Sequence, residues 1–191
     1  MAAGSSSRMG TPKQLLQWKE ATLIEDVITK ALQLNTIKTI VVLGANHDKI
    51  ISKITSYPIE IIHNLEWHKG LGNSIAFGVN HIQNNYQADG VLMVLADQPL
   101  IETSYLKAMT DSFEVNKNQI VATQYNNSKL GVPALFDRCY FNELSTIDGD
   151  KGAKSILKKH SNSVIKMKLA TNVFDVDTEE DYRKLFDSSN H

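Results

Sequence analysis

The sequence lacks the features that several classes of protein require. Its 191 residues contain one cysteine, Cys139, which excludes an internal disulfide and is typical of a protein in a reducing cytoplasm. Lysine plus arginine number 20 and aspartate plus glutamate number 21, so the net charge of −1 gives no sign of nucleic-acid binding. No apolar run is long enough to span a bilayer. We therefore expect a cytoplasmic protein that binds neither nucleic acid nor a membrane.

The sequence also has few residues of the kind that hold zinc or divide a chain into parts. Its six histidines are scattered without the spacing of a metal site, so zinc is not expected. No internal repeat, low-complexity tract or linker interrupts the chain. Apolar and charged contents of 42% and 21% are those of a folded globular protein. The length predicts a single domain over 1–191, with a frayed tail at 187–191.

What the sequence does contain is a regular alternation of strand and helix patterns. The clearest strand patterns are short β-branched runs at 38–44, 59–63 and 90–96. Weaker strand patterns follow at 119–123, 132–136, 164–168 and 173–176. Apolar residues at helical spacing fill the intervals between them. This alternation predicts an α/β fold with a mostly parallel sheet, because parallel strands need crossover connections.

The predicted sheet indicates where functional residues should be sought. Ligands of open α/β sheets bind beyond the carboxyl ends of the strands. The segments that follow the predicted strands are 1–14, 64–74, 97–102, 124–133 and 169–178. The strand before the last of these is compatible with either direction.

The first fourteen residues form a polar segment rich in glycine and serine. Glycines allow backbone N–H groups to approach a phosphate closely, while Arg8 and Lys13 add positive charge. The spacing matches neither the P-loop nor the dinucleotide fingerprint. The segment is therefore either a solvated terminus or a phosphate-binding nest. The nest would be formed by Gly4, Ser5, Ser6, Ser7 and Gly10.

Two aspartates stand where a metal site is possible. Asp97 directly follows the most apolar predicted strand, and a carboxylate there can hold Mg²⁺ over a triphosphate. Asp97 is equally suited to forming a turn before Gln98 and Pro99. Asp177 is the candidate second ligand, although capping of the last helix explains an aspartate there equally well.

Five segments, taken in order, resemble the MobA-like nucleotidyltransferases, and in particular the molybdenum cofactor cytidylyltransferase branch. The opening segment reads Ala-Ala-Gly-x-Ser-x-Arg-Met-Gly-x-x-Lys-Gln over 2–14, as in the signature loop of that family. The other segments are EWHKGLGNSIAFGV at 66–79, VLADQPLI at 94–101, GVPALF at 131–136 with DGDKGAKSIL at 148–157, and FDVDTEEDY at 174–182. The resemblance covers nearly the whole chain and implies a three-layer, Rossmann-like nucleotidyltransferase fold.

The resemblance implies a Mg²⁺-dependent enzyme, with Mn²⁺ as a possible substitute, that transfers CMP from CTP to the phosphate of molybdenum-bearing molybdopterin. It implies Asp97 and Asp177 as metal ligands, and Arg8, Lys13 and Asp97 as the catalytic residues. It assigns nucleotide binding to Ala2, Ala3, Gly4, Ser5, Ser7, Arg8, Gly10, Lys13, Asn73 and Ser74. Helix capping remains the alternative role for Asn73 and Ser74.

Two further details of the resemblance concern the base of the nucleotide and the residues that bind the acceptor. Ala-Ala-Gly at 2–4 is the form associated with cytidine, and the Cβ of Ala3 would crowd a purine. The acceptor residues implied are Gly131, Pro133, Asp150 and Lys151. This chain has Val132 where the family usually has histidine, and Val132 cannot donate a hydrogen bond to a pterin or a phosphate.

The resemblance also leads to expectations about the chain start and the partners. In the family the signature loop follows a central first strand, of which only residues 1–3 are present, so we expect the natural sequence to begin further upstream. We expect a monomer that supplies a molybdenum hydroxylase or its maturation chaperone. The alternatives are a nucleotidyltransferase for a sugar phosphate or alcohol phosphate, a non-catalytic carrier of the cofactor or of a nucleotide, and an inactive paralogue.

Overall fold

The computed structural model describes residues 1–5, 11–125, 129–169 and 178–188. The strands are β1 (Gln17–Trp18), β2 (Ala21–Thr22), β3 (Ile40–Leu43), β4 (Glu60–His63), β5 (Gly90–Met93), β6 (Ile120–Gln124), β7 (Leu130–Asp137) and β8 (Val164–Lys168). The helices are α1 (Leu23–Leu32), α2 (His47–Ile54), α3 (Leu71–Asn85), α4 (Thr103–Asp111), α5 (Phe141–Leu144), α6 (Lys154–Lys159) and α7 (Glu179–Ser188). The predicted strand at 173–176 lies outside the described residues.

The strands confirm the predicted α/β fold with its mostly parallel sheet. β3 pairs with β4 in parallel, and the other large sheet has the order β5-β7-β6-β8. β7 is antiparallel to both of its neighbours, whereas β6 and β8 are parallel. Among the described strands of this sheet, β7 is therefore the one that runs against the others. β1 and β2 form a separate antiparallel hairpin.

The first three residues connect the two sheets. The backbone N–H of Ala2 donates to the carbonyl of Val42 at 3.0 Å, and Ala2 forms a parallel bridge with Leu43. On the other side, the amino group of Met1 donates to the carbonyl of Val94 at 2.8 Å, and the Met1 carbonyl accepts from Ala96 N–H at 3.1 Å. Residues 1–3 thus lie between β3 and the chain that continues from β5, parallel to both.

Helices cover both faces of the strands, which gives the three layers expected of this fold. α1 and α2 pack with Leu43, Ala2 and Ala96 on one face, and α4 packs with Val121 and Leu135. On the other face, α3, α5 and α6 pack against the opposite side of β5, β6 and β7. Within the described residues, no helix combines the length and apolar character needed to cross a membrane.

Candidate functional site

A cavity of about 390 Å³ lies where β3 and β5 end, at the carboxyl ends of the parallel strands. We call it the carboxylate cavity, because Asp97 and Asp150 both line it. Its remaining polar and aromatic lining includes Ser5, Lys13, Gln14, Trp67, His68 and Ser74. The opening segment and the 64–74 segment therefore meet in one place, as expected for ligand-binding loops of an α/β sheet.

The backbone of residues 2–4 enters the carboxylate cavity in a fixed conformation. Ala2 and Ala3 are buried, and the carbonyl of Ala3 accepts a hydrogen bond from Ala45 N–H at 3.2 Å. The amide of Gln14, itself buried, donates to the carbonyls of Ala2 and Gly4 at 3.3 and 3.1 Å. A Cβ added at Gly4 would meet no atom within 4 Å, so open space lies beside this glycine. The backbone is thus held firmly while its exposed side remains accessible to a ligand.

Lys13 and Asp97 form an ion pair inside the carboxylate cavity, between Nζ and Oδ2. Lys13 begins a short 3₁₀ helix after Pro12, and Asp97 lies in the turn after β5. Their side chains are 17% and 14% exposed, so the pair is shielded from solvent but reachable from the cavity. The sequence proposed both residues for one site, and the structure places them in contact.

The amino group of Met1 lies close to this ion pair. Burial lowers its pKa from 8.0 to about 6, and the negative charge of Asp97 opposes that change in part. A cationic group loses its hydration when it is buried, so the charged form is disfavoured.

The remaining oxygen of Asp97 fits a metal ion. Oδ1 is buried and has no hydrogen-bond partner in the described residues, although a carboxylate oxygen at such a place normally has one. Mg²⁺ needs few carboxylates, because phosphate oxygens and water complete its coordination. Within the described ranges, no three histidine, cysteine or acidic side chains form a metal-binding group. Asp177 lies outside those ranges.

The sequence analysis missed a residue that organises the 64–74 segment. Asn64 is 2% exposed, and its Nδ2 donates to Asn73 Oδ1 and to Ser74 Oγ, both at 3.0 Å. Its Oδ1 accepts from the backbone N–H of Glu66 at 3.0 Å. Ser74 lines the carboxylate cavity, whereas Asn73 faces Asn64. Asn64 directly follows β4, and this position at the end of a strand was the signal in the sequence that could have identified it.

Close backbone packing holds the same segment against the rest of the protein. Gly44 has no room for a Cβ, which would lie 2.6 Å from Trp67 Cβ and 2.5 Å from the Ala3 carbonyl oxygen. Gly70 has φ of 104°, a conformation that glycine adopts without strain, and a Cβ there would lie 2.6 Å from Asp150 Oδ1. Trp67 therefore lies directly beside the opening segment, and Asp150 beside the start of α3.

A second cavity, of about 330 Å³, adjoins the first, and both are lined by Met1, Leu71 and Leu95. We call it the lysine cavity, because Lys129, Lys151 and Lys154 line it and no acidic side chain does among the described residues. Gly131 and Val132 also line it. Pro133 is buried in β7, where its carbonyl accepts from Thr123 Oγ1 at 2.8 Å.

The structure divides the predicted acceptor residues between the two cavities. Lys151 lines the lysine cavity, whereas its neighbour Asp150 lines the carboxylate cavity. Tyr125 lies between Gln98 and Val132: its hydroxyl accepts from Gln98 Nε2 at 3.0 Å and donates to the Val132 carbonyl. Of the predicted nucleotide residues, Ser7, Arg8 and Gly10 lie outside the described residues.

Comparisons with known proteins show what this chain is similar to. Nicotine blue oxidoreductase of Paenarthrobacter nicotinovorans is 28% identical over 167 residues, covering 83% of this chain and 79% of that protein. Purine catabolism protein PucB of Bacillus subtilis (strain 168) is 28% identical over 199 residues, 95% and 91% of the two chains. Molybdenum cofactor cytidylyltransferase of Escherichia coli (strain K12) is 34% identical over 86 residues, 44% of each chain.

Among solved structures, Rv0371c of Mycobacterium tuberculosis H37Rv superposes with a TM-score of 0.84 at 27% identity, covering 97% of this chain and 94% of that one. The same protein in complex with manganese gives a TM-score of 0.81 at 24% identity, covering 97% and 95% of the two chains. The model of the MobA-like NTP transferase domain matches residues 1–164, which is most of the sequence. The chain therefore belongs to the MobA-like NTP transferase domain family.

Proposed function

We propose that this nucleotidyltransferase transfers CMP from CTP to the phosphate of molybdenum-bearing molybdopterin and releases pyrophosphate. The observation that carries the proposal is the ion pair between Lys13 and Asp97. The other carboxylate oxygen of Asp97 is buried and has no hydrogen-bond partner among the described residues. Open space lies beside Gly4, which lines the same cavity. The adjoining cavity with three lysines provides a place for an anionic acceptor. The relative named molybdenum cofactor cytidylyltransferase supports the choice of nucleotide and acceptor.

The reaction needs no general base, because the attacking acceptor phosphate is already ionised at neutral pH. One of its oxygens forms a bond to the α-phosphorus of CTP, and the bond from that phosphorus to the oxygen bridging to the β-phosphate breaks. The electron pair of the broken bond leaves with pyrophosphate. Positioning of the two substrates and neutralisation of their charges are then the main tasks of the protein.

The position of Lys13 suits it to bind the pyrophosphate that leaves in the reaction. Its Nζ already lies in the carboxylate cavity on Asp97, and the β- and γ-phosphates offer it further anionic oxygens. Backbone N–H groups beside Gly4 would approach the same phosphates from the open side of the loop. Arg8, Ser7 and Gly10 remain proposed contacts on that loop.

The position of Asp97 suits it to coordinate a divalent metal ion. Its Oδ1 would hold Mg²⁺, or Mn²⁺ in its place, and Asp177 is the proposed second ligand. The ion would supply charge neutralisation on the phosphate oxygens. A solved manganese complex of the mycobacterial relative supports a divalent cation in this fold.

The lysine cavity is suited to the acceptor. Lys151 and Lys154 line it together with apolar side chains such as Leu130 and Leu157, a combination that fits a phosphate attached to a flat, partly apolar ring system. We retain Gly131, Pro133 and Asp150 as proposed acceptor residues. We further propose that the protein is a cytoplasmic monomer, and that its product is passed to a molybdenum hydroxylase or to the maturation chaperone of that enzyme.

The test is pyrophosphate release from each of CTP, GTP, ATP and UTP, with and without Mg²⁺, in the presence of molybdenum-loaded molybdopterin. We expect release with CTP and Mg²⁺ together, and a dinucleotide product of matching mass. Release with another nucleotide would overturn the cytidylyl assignment. Release with a sugar phosphate but not with molybdopterin would favour the alternative acceptor. Tight CTP binding without release would favour a carrier.

A further inference from the structure

An aromatic side chain forms part of the wall of the lysine cavity. Tyr125 directly follows β6 and lines the cavity together with Lys129, Lys151 and Lys154. Among the described residues of that wall, Tyr125 is the one with an aromatic ring. A ring and three cationic side chains therefore face the same space, although the sequence analysis assigned no role to Tyr125.

The ring of Tyr125 is held at both of its ends. At the backbone, the N–H of Tyr125 donates to the carbonyl of Lys129 at 3.0 Å, which continues the pairing of β6 with β7. At the other end, the hydroxyl donates to the Val132 carbonyl and accepts from Gln98 Nε2 at 3.0 Å. Gln98 is itself 2% exposed, so its amide is a fixed partner. The ring is therefore positioned before any ligand binds, and a ligand that contacts it does not need to order it.

Gly131 provides the space that the ring occupies. A Cβ at this position would lie 3.0 Å from Cε2 and 3.7 Å from Cδ2 of Tyr125. One edge of the ring therefore packs directly on the backbone of β7, and a larger residue at 131 would push the ring out of this position. Gly131 is one of the proposed acceptor residues, and the structure indicates that it acts by accommodating Tyr125.

The lysines and the ring differ in what they can distinguish. Lysine side chains attract any phosphate, whatever group carries it. An aromatic ring at a fixed position stacks well on a planar ring, whereas a saturated ring packs on it less closely. The choice between acceptors therefore depends on the ring rather than on the lysines.

We propose that Tyr125 is a specificity-determining residue of the lysine cavity, which selects phosphates carried on a planar ring by stacking against that ring. This inference rests on the proposed function, in which the lysine cavity binds the acceptor. It goes further because it names the side chain that discriminates against a sugar phosphate.

The test uses two probes that share a six-membered ring bearing a phosphorylated CH₂OH group. Pyridoxine 5′-phosphate has a planar ring and glucose 6-phosphate has a saturated one. Isothermal titration should show that the unchanged protein binds the planar probe about 5- to 10-fold more tightly, the effect of one aromatic stacking contact. Tyr125→Leu should remove most of this preference and leave the affinity for glucose 6-phosphate nearly unchanged. Tyr125→Phe should retain most of it, because the ring is still present.

The control variant is Tyr57→Leu, which removes an aromatic ring from a different part of the protein. Tyr57 packs against the core beneath α1 and α2 and does not line the lysine cavity. Its loss should lower stability and leave the preference between the two probes intact. The affinity for CTP, measured in every variant, shows whether the neighbouring carboxylate cavity is preserved.

Three results would overturn the proposal: equal affinities of the unchanged protein for the two probes, no detectable binding of pyridoxine 5′-phosphate, and an unchanged preference in Tyr125→Leu. A parallel loss of affinity for both probes in Tyr125→Leu would also overturn it, since it would indicate a structural role. Binding of the probes requires neither CTP nor a metal ion, so the outcome is separate from that of the proposed reaction. A preference that depends on Tyr125, without pyrophosphate release from any nucleotide, would overturn the proposed reaction and support this inference.

Discussion

The two cavities beside Met1 are similar in size but opposite in charge. The carboxylate cavity has a volume of about 390 Å³ and is lined by Asp97 and Asp150, with Lys13 already in an ion pair. The lysine cavity has a volume of about 330 Å³ and is lined by three lysines and, among the described residues, by no acidic side chain. A carboxylate cavity attracts a cation together with its phosphates, whereas a lysine cavity attracts an anion directly.

The proposed reaction gives each cavity a separate role. A metal-bound triphosphate would occupy the first and an anionic acceptor the second, and Met1, Leu71 and Leu95 line both. If the division is correct, substitutions in one cavity should change the kinetics of one substrate and leave those of the other nearly unchanged. The predictions below test that division, in order of decreasing effect.

Asp97→Asn should abolish turnover, by about 10³-fold or more, while the thermal midpoint stays near that of the unchanged protein. The amide keeps the shape of the side chain but removes the charge that would hold the metal. Pyrophosphate release with CTP, Mg²⁺ and acceptor measures the effect, and Asp111→Asn is the control, because Asp111 is exposed at the end of α4 and does not line the cavity. Normal turnover in Asp97→Asn would eliminate Asp97 as the metal ligand.

Lys13→Ala should weaken CTP binding by about 10- to 100-fold, since a charge-assisted contact to phosphate is lost. Cytidine has no phosphates, so its affinity should not change. Isothermal titration with CTP and with cytidine separates the two effects, and acceptor KM should remain within twofold. Equal losses for CTP and cytidine would contradict a phosphate-binding role and indicate a general disturbance of the cavity.

Lys151→Ala should raise acceptor KM by about 10-fold and leave the affinity for CTP unchanged. Lys151 lines the lysine cavity alone, whereas its neighbour Asp150 lines the other one. Steady-state kinetics with each substrate varied in turn measures both constants. Lys158→Ala is the surface control, because Lys158 is exposed on α6 and does not line the lysine cavity. An effect confined to CTP would reverse the assignment of the two cavities.

Much of this fold could be predicted because strands buried on both faces leave a continuous apolar signal. The runs at 38–44, 59–63 and 90–96 became β3, β4 and β5, each shorter than its run. The β1–β2 hairpin was missed, since strands of two residues show no periodicity. The antiparallel direction of β7 was not predicted, although only five residues separate β7 from β6, too few for a parallel crossover.

The candidate site was predictable in its charged residues but not in its supporting amides. Lys13 and Asp97 stood in recognisable segments, and the structure places them in contact. Gln14 and Asn64 act through hydrogen bonds to groups two to twelve residues away, and no sequence pattern specifies such partners. Their role depends on how two loops meet above the sheet, which only the assembled fold defines.

The charge at Met1, which lines both cavities, should make stability depend on pH. Its folded pKa of about 6 lies below the ordinary 8.0, so the unfolded chain binds more protons between pH 6 and 8 and stability rises with pH across that range. The gain should be about 2 kcal/mol at most. Urea unfolding at pH 6 and pH 8 measures it, after intact mass confirms that Met1 is retained.

The control for this pH dependence is the protein acetylated at its α-amino group, in which Met1 carries no charge. The difference between the two forms isolates the contribution of Met1, including the opposing effect of Asp97. Identical pH profiles would show that the amino group is hydrated rather than buried between the two cavities.

Ala3→Gly should change the selectivity between bases rather than the rate, and it sharpens the description of the carboxylate cavity. Ala3 lines that cavity, and removal of its Cβ would make room for a larger base beside Gly4. The ratio of CTP affinity to GTP affinity should fall by about 10-fold, the effect of a small steric contact in a binding pocket. Ala76→Gly is the control, because Ala76 is buried on α3 and does not line that cavity, and its loss should lower stability without changing the ratio. Competition titrations with both nucleotides give the ratio directly, and an unchanged ratio in Ala3→Gly would show that the Cβ of Ala3 does not determine which base is bound.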